Sequence, residues 1–125
     1  MSKLKDEGNE AFKDKDFQKA VELFTKAIGE TPADHTIYSN RSASYYRLGK
    51  FELALEDGEK CVDLKPDWSK GWQRKALALH ALGRKDEAMV AYERGYDVDP
   101  TNQVLMKEMS KLKVEIESER NAKEQ

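Results

Sequence analysis

Three prolines, Pro32, Pro66 and Pro100, stand thirty-four residues apart, and this period constrains the chain more than any other feature. Other positions keep the same register. Ala20, Ala54 and Ala88 align, as do Phe24, Gly58 and Tyr92; Ala27, Cys61 and Gly95 form a series of small residues, and Leu4, Tyr38 and Trp72 a large apolar one. A unit of this length cannot bury its apolar face alone, so successive units must stack on one another.

Each unit reads as a helix pair. The spacing predicts helices over 2–13 and 17–28, over 35–48 and 51–64, and over 69–82 and 85–98. Gly49 and Gly83 sit where a helix stop needs positive φ, and each proline follows a second helix that it cannot continue. Small residues at the Ala20 and Ala27 positions let neighbouring helices approach. The pattern resembles the tetratricopeptide repeat across residues 2–100, with Gly8, Ala20, Phe24, Ala27 and Pro32 on that family's expected positions. Ser42 and Ala76 depart from the Gly8 position, and Gly58 stands where an aromatic is usual. The fold expected is an all-α solenoid of three repeats, 1–34, 35–68 and 69–101, closed by a capping helix over 102–119. Thr101-Asn102 is a helix-start signal, and Leu105, Met109, Leu112 and Ile116 form the single apolar stripe of that cap. Residues 120–125 read as a linker or frayed tail, and the intact Met1 with this tail suggests an N-terminal module of a longer protein.

Charge is sorted by face. First-helix positions 4, 7, 8 and 11 pack inward, and positions 2, 5, 6, 9, 12 and 13 centre on a second stripe about 150° away, at roughly 100° per residue. That stripe holds five cations (Lys5, Lys13, Arg47, Lys70, Arg74) against one acid, Asp6, in a chain of net charge −2. No acidic residue occurs between positions 69 and 83, although 37% of the chain is charged. The second-helix windows 17–30, 51–65 and 85–99 run the other way, with twelve acids against six bases. Lysine and arginine on a groove wall suit a ligand bearing carboxylates, and Asn9 and Asn40 add neutral donors without further repulsion.

Lys5, Asn9, Asn40, Lys70 and Arg74, with the strings Tyr38-Ser39-Asn40-Arg41-Ser42-Ala43 and Trp68-Ser69-Lys70-Gly71-Trp72-Gln73-Arg74-Lys75, closely resemble the first repeat module of the chaperone-organising co-chaperones, the stress-inducible phosphoprotein family. The resemblance implies a dicarboxylate clamp for the C-terminal Glu-Glu-Val-Asp of cytosolic heat-shock chaperones. Lys5, Asn9 and Asn40 would hold the terminal carboxylate; Lys70 and Arg74 would hold the last Asp side chain and the backbone upstream. Ala43 and Arg47 correspond to flanking contacts. Tyr46 replaces the small residue expected of a module selective for the seventy-kilodalton chaperone, which leaves the choice between seventy- and ninety-kilodalton partners open. Two other readings stand beside this one: the targeting domain of an enzyme such as an immunophilin or a phosphatase, and a scaffold for internal peptide segments.

Several classes are disfavoured. A net charge of −2 gives no bulk attraction to nucleic acid or membrane, and no apolar run approaches a membrane span. Cys61 stands alone and reads as an inert buried thiol, consistent with a reducing cytoplasmic setting. His35 and His80 lie in different units without a ligand cluster, so neither metal nor cofactor is expected. Trp72 occupies a packing position and reads as core, Trp68 as a shield for the helix junction, and His80 as a possible groove edge. No nucleophile–base pair or phosphate loop is present in the sequence, and the chain reads as non-catalytic.

Overall fold

A computed structural model describes residues 3–124. Among them run seven helices: α1 (Lys3–Lys13), α2 (Phe17–Glu30), α3 (His35–Arg47), α4 (Phe51–Leu64), α5 (Ser69–Ala81), α6 (Lys85–Val98) and α7 (Gln103–Glu124). Each helix packs on its neighbours in sequence. In addition α1 touches α3, α3 touches α5, and α5 touches α7, whereas α2, α4 and α6 do not touch one another. The first helices therefore lie close together as one layer and the second helices splay apart, which makes the odd-numbered layer the inner wall of a curved stack.

The all-α solenoid of three repeats with a capping helix is what the period predicts. The predicted start at Ser2 lies outside the described residues, and α2 runs two residues past the expected 28. The cap extends further: residues 120–124, read as linker or tail, continue α7 as helix, while Gln125 is outside the described residues. That stretch is polar but contains no glycine or proline, so nothing local stops the helix. Just before it, Glu115 and Glu119 tie α7 to Lys85 of α6. Leu105 and Leu112 of α7 are fully buried, and Met109 and Ile116 pack beside them.

Local chemistry sets the turns. Gly49 and Gly83 adopt φ of 77° and 79° as expected. At the same register in the first repeat stands Lys15, with φ of 63°, a left-handed conformation that a side chain makes costly. Asp16 and Asp34 cap α2 and α3 by accepting from the N–H groups of Lys19 and Thr36.

Adjacent repeats are joined by recurrent contacts. Tyr38 Oη and Trp72 Nε1 occupy equivalent positions and donate to the carbonyls of Pro32 and Pro66, at 3.0 and 2.8 Å. Trp72 is consequently only half-buried, rather than the core residue expected: it packs on the core while Lys75 and Arg94 cover its ring. Trp68 meets His35 edge-on across the junction of repeats two and three. Cys61 is fully buried with its thiol against the His35 carbonyl, and burial pushes it up to about 12. Gly58 explains its own departure from an aromatic: a Cβ there would lie 2.8 Å from the Lys75 backbone nitrogen, so α4 and α5 meet backbone to backbone.

One buried ion pair staples three helices. Arg41 of α3 donates from Nε and Nη2 to Asp57 of α4 at 2.8 and 2.7 Å, and from Nη1 to Thr25 of α2. Burial pushes the Asp57 carboxyl up, against the bonds from Arg41; the short two-pronged geometry is that of an ionised pair. Asp57→Ala should therefore destabilise the fold by about 3–5 kcal/mol, because the Arg41 charge stays buried without its partner. Lys15→Gly should stabilise it by about 0.5–1 kcal/mol by relieving the positive φ. Urea unfolding followed by circular dichroism measures both.

Candidate functional site

All seven residues singled out for binding lie on the inner layer: Lys5 and Asn9 on α1, Asn40, Ala43 and Arg47 on α3, Lys70 and Arg74 on α5. Side-chain bonds tie three of them across the helices. Asn40 Nδ2 donates to Asn9 Oδ1 at 2.9 Å, joining α3 to α1. Arg74 Nε donates to Ser39 Oγ at 3.2 Å, joining α5 to α3 next to Asn40. Lys5 stands one helical turn from Asn9, and Lys70 one turn from Arg74. With its carbonyl engaged by Asn40, Asn9 has its NH₂ end as the donor for a ligand.

Ala43, Arg47 and Arg74 also line a pocket of about 200 Å³ together with Phe12, Tyr46, Leu77 and Val104. Tyr46 leans on Phe51, with ring centroids 5.4 Å apart. Arg47 is exposed and stacks over Phe17 at 4.7 Å, so it borders the pocket from the repeat-one side. The site is thus a polar, cationic stretch continuing into a small apolar recess.

The electrostatics favour an anion. Burial pushes the Lys70 ammonium below its usual range, and the Arg74 charge pushes it further. Arg74 is also shifted down by desolvation, yet a guanidinium remains protonated in proteins. Two partly desolvated cations one turn apart are each stabilised by any carboxylate that comes between them.

Some expectations change. Ser39 and Gln73, counted on the groove stripe, are buried in bonds between helices. Lys13 is exposed and pairs with Glu10, a solvated surface contact. His80 does not edge the groove; it bonds Tyr92 and Glu115 and seals α7 against α5 and α6. Among the described residues no cluster of three or more metal-ligating side chains occurs, and no helix is long and apolar enough to cross a membrane. Phe12 and Leu77, expected on the groove stripe, are walls of the pocket; sequence reasoning missed Val104, which lies on the cap outside that stripe. It also passed over Ser39 as the group that orients Arg74.

A family model described as "Serine/threonine-protein kinase BSK1-like, TPR repeats" matches residues 1–76, and one described as "Tetratricopeptide repeat" matches residues 69–102. The chain belongs to the tetratricopeptide repeat family. Within it, the chain is 50% identical over 104 residues to "Protein STIP1 homolog" of Dictyostelium discoideum, covering 83% of this chain and 18% of that protein. It is 40% identical over 113 residues to "Hsp70-Hsp90 organising protein" of Plasmodium falciparum, covering 90% of this chain and 45% of that protein. The chain spans less than a fifth of the length of the Dictyostelium relative. Among solved structures it resembles the "First TPR of Spaghetti (RPAP3) bound to HSP90 peptide SRMEEVD", with TM-score 0.86, 31% identity and 90% of each chain covered. It also resembles the second TPR domain of human RPAP3 in complex with HSP70 peptide SGPTIEEVD, with TM-score 0.83, 31% identity, and 88% and 92% of the two chains covered.

The electrostatic argument has a test without ligand. Side-chain carbon shifts followed by NMR should show Lys70 titrating below the ordinary value of about 10.4. Arg74→Gln should return it only partway, because burial is the larger cause.

Proposed function

We propose that this chain is a non-catalytic adaptor module that captures the free, acidic C-terminus of a cytoplasmic heat-shock chaperone of the seventy- or ninety-kilodalton class. The observation that carries the reading is the pair of cross-helix bonds, Asn9 to Asn40 and Ser39 to Arg74, which hold donors from α1, α3 and α5 on one wall. A terminal peptide presents a main-chain carboxylate and an Asp side chain close together, and this wall offers a group of donors for each. Lys5, Asn9 and Asn40 take the terminal carboxylate; Lys70 and Arg74 take the Asp side chain and the upstream backbone. The peptides named in the two RPAP3 complexes both end in Glu-Glu-Val-Asp, the chemistry this arrangement suits.

Residues upstream of the motif meet the recess beside Tyr46, Ala43 and Arg47, where an apolar side chain fits better than a charged one. Because the clamp reads only what the two tails share, any preference between chaperones resides in that recess. Charge-assisted hydrogen bonds contribute roughly 1.5–3 kcal/mol each before ordering costs, so affinity should be about micromolar.

Calorimetry with Glu-Glu-Val-Asp peptides tests the reading. Lys70→Ala and Arg74→Ala should each weaken binding at least tenfold, about 1.4 kcal/mol or more, with helicity unchanged. Amidating the peptide terminus should weaken it comparably. Equal affinity for the amidated peptide would exclude the terminal-carboxylate role and favour a scaffold for internal segments.

A further inference from the structure

Asp34, Trp68 and Asn102, thirty-four residues apart, stand just before α3, α5 and α7, and in the first and third repeats this residue reaches back to position five of the preceding helix pair. In the third repeat this contact is neutral: Asn102 caps α7 through Leu105 N and donates to Gln73 Oε1 at 3.0 Å. In the second repeat Trp68 occupies the position and makes no side-chain cap bond, and the position-five residue Ser39 accepts from Arg74 instead. In the first repeat the contact is charged. Asp34 caps α3, accepting from Thr36 N and Oγ1, and its other oxygen accepts from Lys5 Nζ at 3.1 Å. Both partners are about 30% exposed, so the pair is screened less than one in open water. Burial by itself would raise the Asp34 carboxyl, but its bonds from Thr36 and Lys5 outweigh burial and hold it below the usual range.

We propose that Asp34 sets the affinity of the clamp: it positions the Lys5 ammonium beside Asn9 and also competes with the ligand's terminal carboxylate for that ammonium. The inference rests on the clamp reading above. An ammonium carries three donors, so Asp34 and a ligand carboxylate can share it geometrically. They cannot share it without cost, because sharing brings two like charges within a few ångströms of one cation. Asp34 is thus a brake on a site whose other members all attract. Its place at a helix N-terminus favours its negative charge for the fold, and the same charge opposes the ligand. Asn102 indicates that a neutral amide at this register can cap a helix and still reach position five.

Asp34→Asn separates the two roles, since asparagine caps as well as aspartate but carries no charge. Titration calorimetry would compare the parent, Asp34→Asn, Lys5→Ala and the double variant, each with free-acid and amidated Glu-Glu-Val-Asp peptide. Asp34→Asn should bind the free-acid peptide about two- to fivefold more tightly, the scale of one partly exposed charge contact. The gain should shrink for the amidated peptide and vanish in the Lys5→Ala background. Asp34→Ser, a second neutral cap, should also tighten binding. Unchanged or weaker binding by both neutral variants overturns the competitor role, as does an equal gain without Lys5. A parent that ignores the free-acid peptide removes the clamp reading and this inference together. A parent that binds, with neutral variants that gain nothing, removes this inference alone.

Discussion

The proposed binding wall depends on how closely successive first helices approach. Asparagine and serine side chains are short, and the bonds from Asn40 to Asn9 and from Arg74 to Ser39 exist only because α1, α3 and α5 lie in contact. Residues without bulk let the second helices seat closely against this layer. Gly58 lets α4 meet the backbone of α5 beside Lys75, one residue from Arg74, and Gly8 sits against the ring of Phe24. A methyl group at Gly58 would displace the helix that carries both α5 cations. Packing and recognition are therefore one problem here, because the core determines where the charges stand.

Charge sorting follows from the same architecture. The outer helices α2, α4 and α6 carry eleven of the 24 acids while α3 and α5 carry none, and the proposed clamp cations stand on the inner layer. This sorting gives a chain of slightly negative net charge a face that attracts anions. It also has a cost inside the candidate site, where Lys70 and Arg74 are both partly desolvated and like-charged. The fold tolerates that arrangement because each cation keeps part of its surface in water or a neutral partner such as Ser39. In the proposed complex a ligand carboxylate would remove that repulsion, so part of the binding energy would come from relief of an unfavourable free state.

The ends of the stack show how an open repeat is closed. Leu105 and Leu112 cover the apolar face that a fourth repeat would otherwise bury, while His80 and Lys85 fasten the helix through Glu115 and Glu119. The cap is more than a lid, because Val104 forms one wall of the recess next to Arg74. Closing the core and shaping the candidate site are thus partly the work of the same helix.

Much of this was legible in the residues alone. The thirty-four-residue period dictates helix pairs, and helical geometry then dictates which face each side chain takes, so Lys5, Asn9, Asn40, Lys70 and Arg74 could be assigned to one wall from local rules. The end of α7 differs from the linker or frayed tail expected because polar residues alone do not break a helix. The positive φ of Lys15 escaped because a lysine does not announce it, although its register with Gly49 and Gly83 did. What only the tertiary structure decided is which partner each inner residue meets: Asn9 with Asn40, Ser39 with Arg74, Lys5 with Asp34, and Val104 with the recess. Periodicity assigns a direction to a side chain on its own helix. The distance to the next helix depends on the bulk of residues packed elsewhere, and that is a property of the assembled stack.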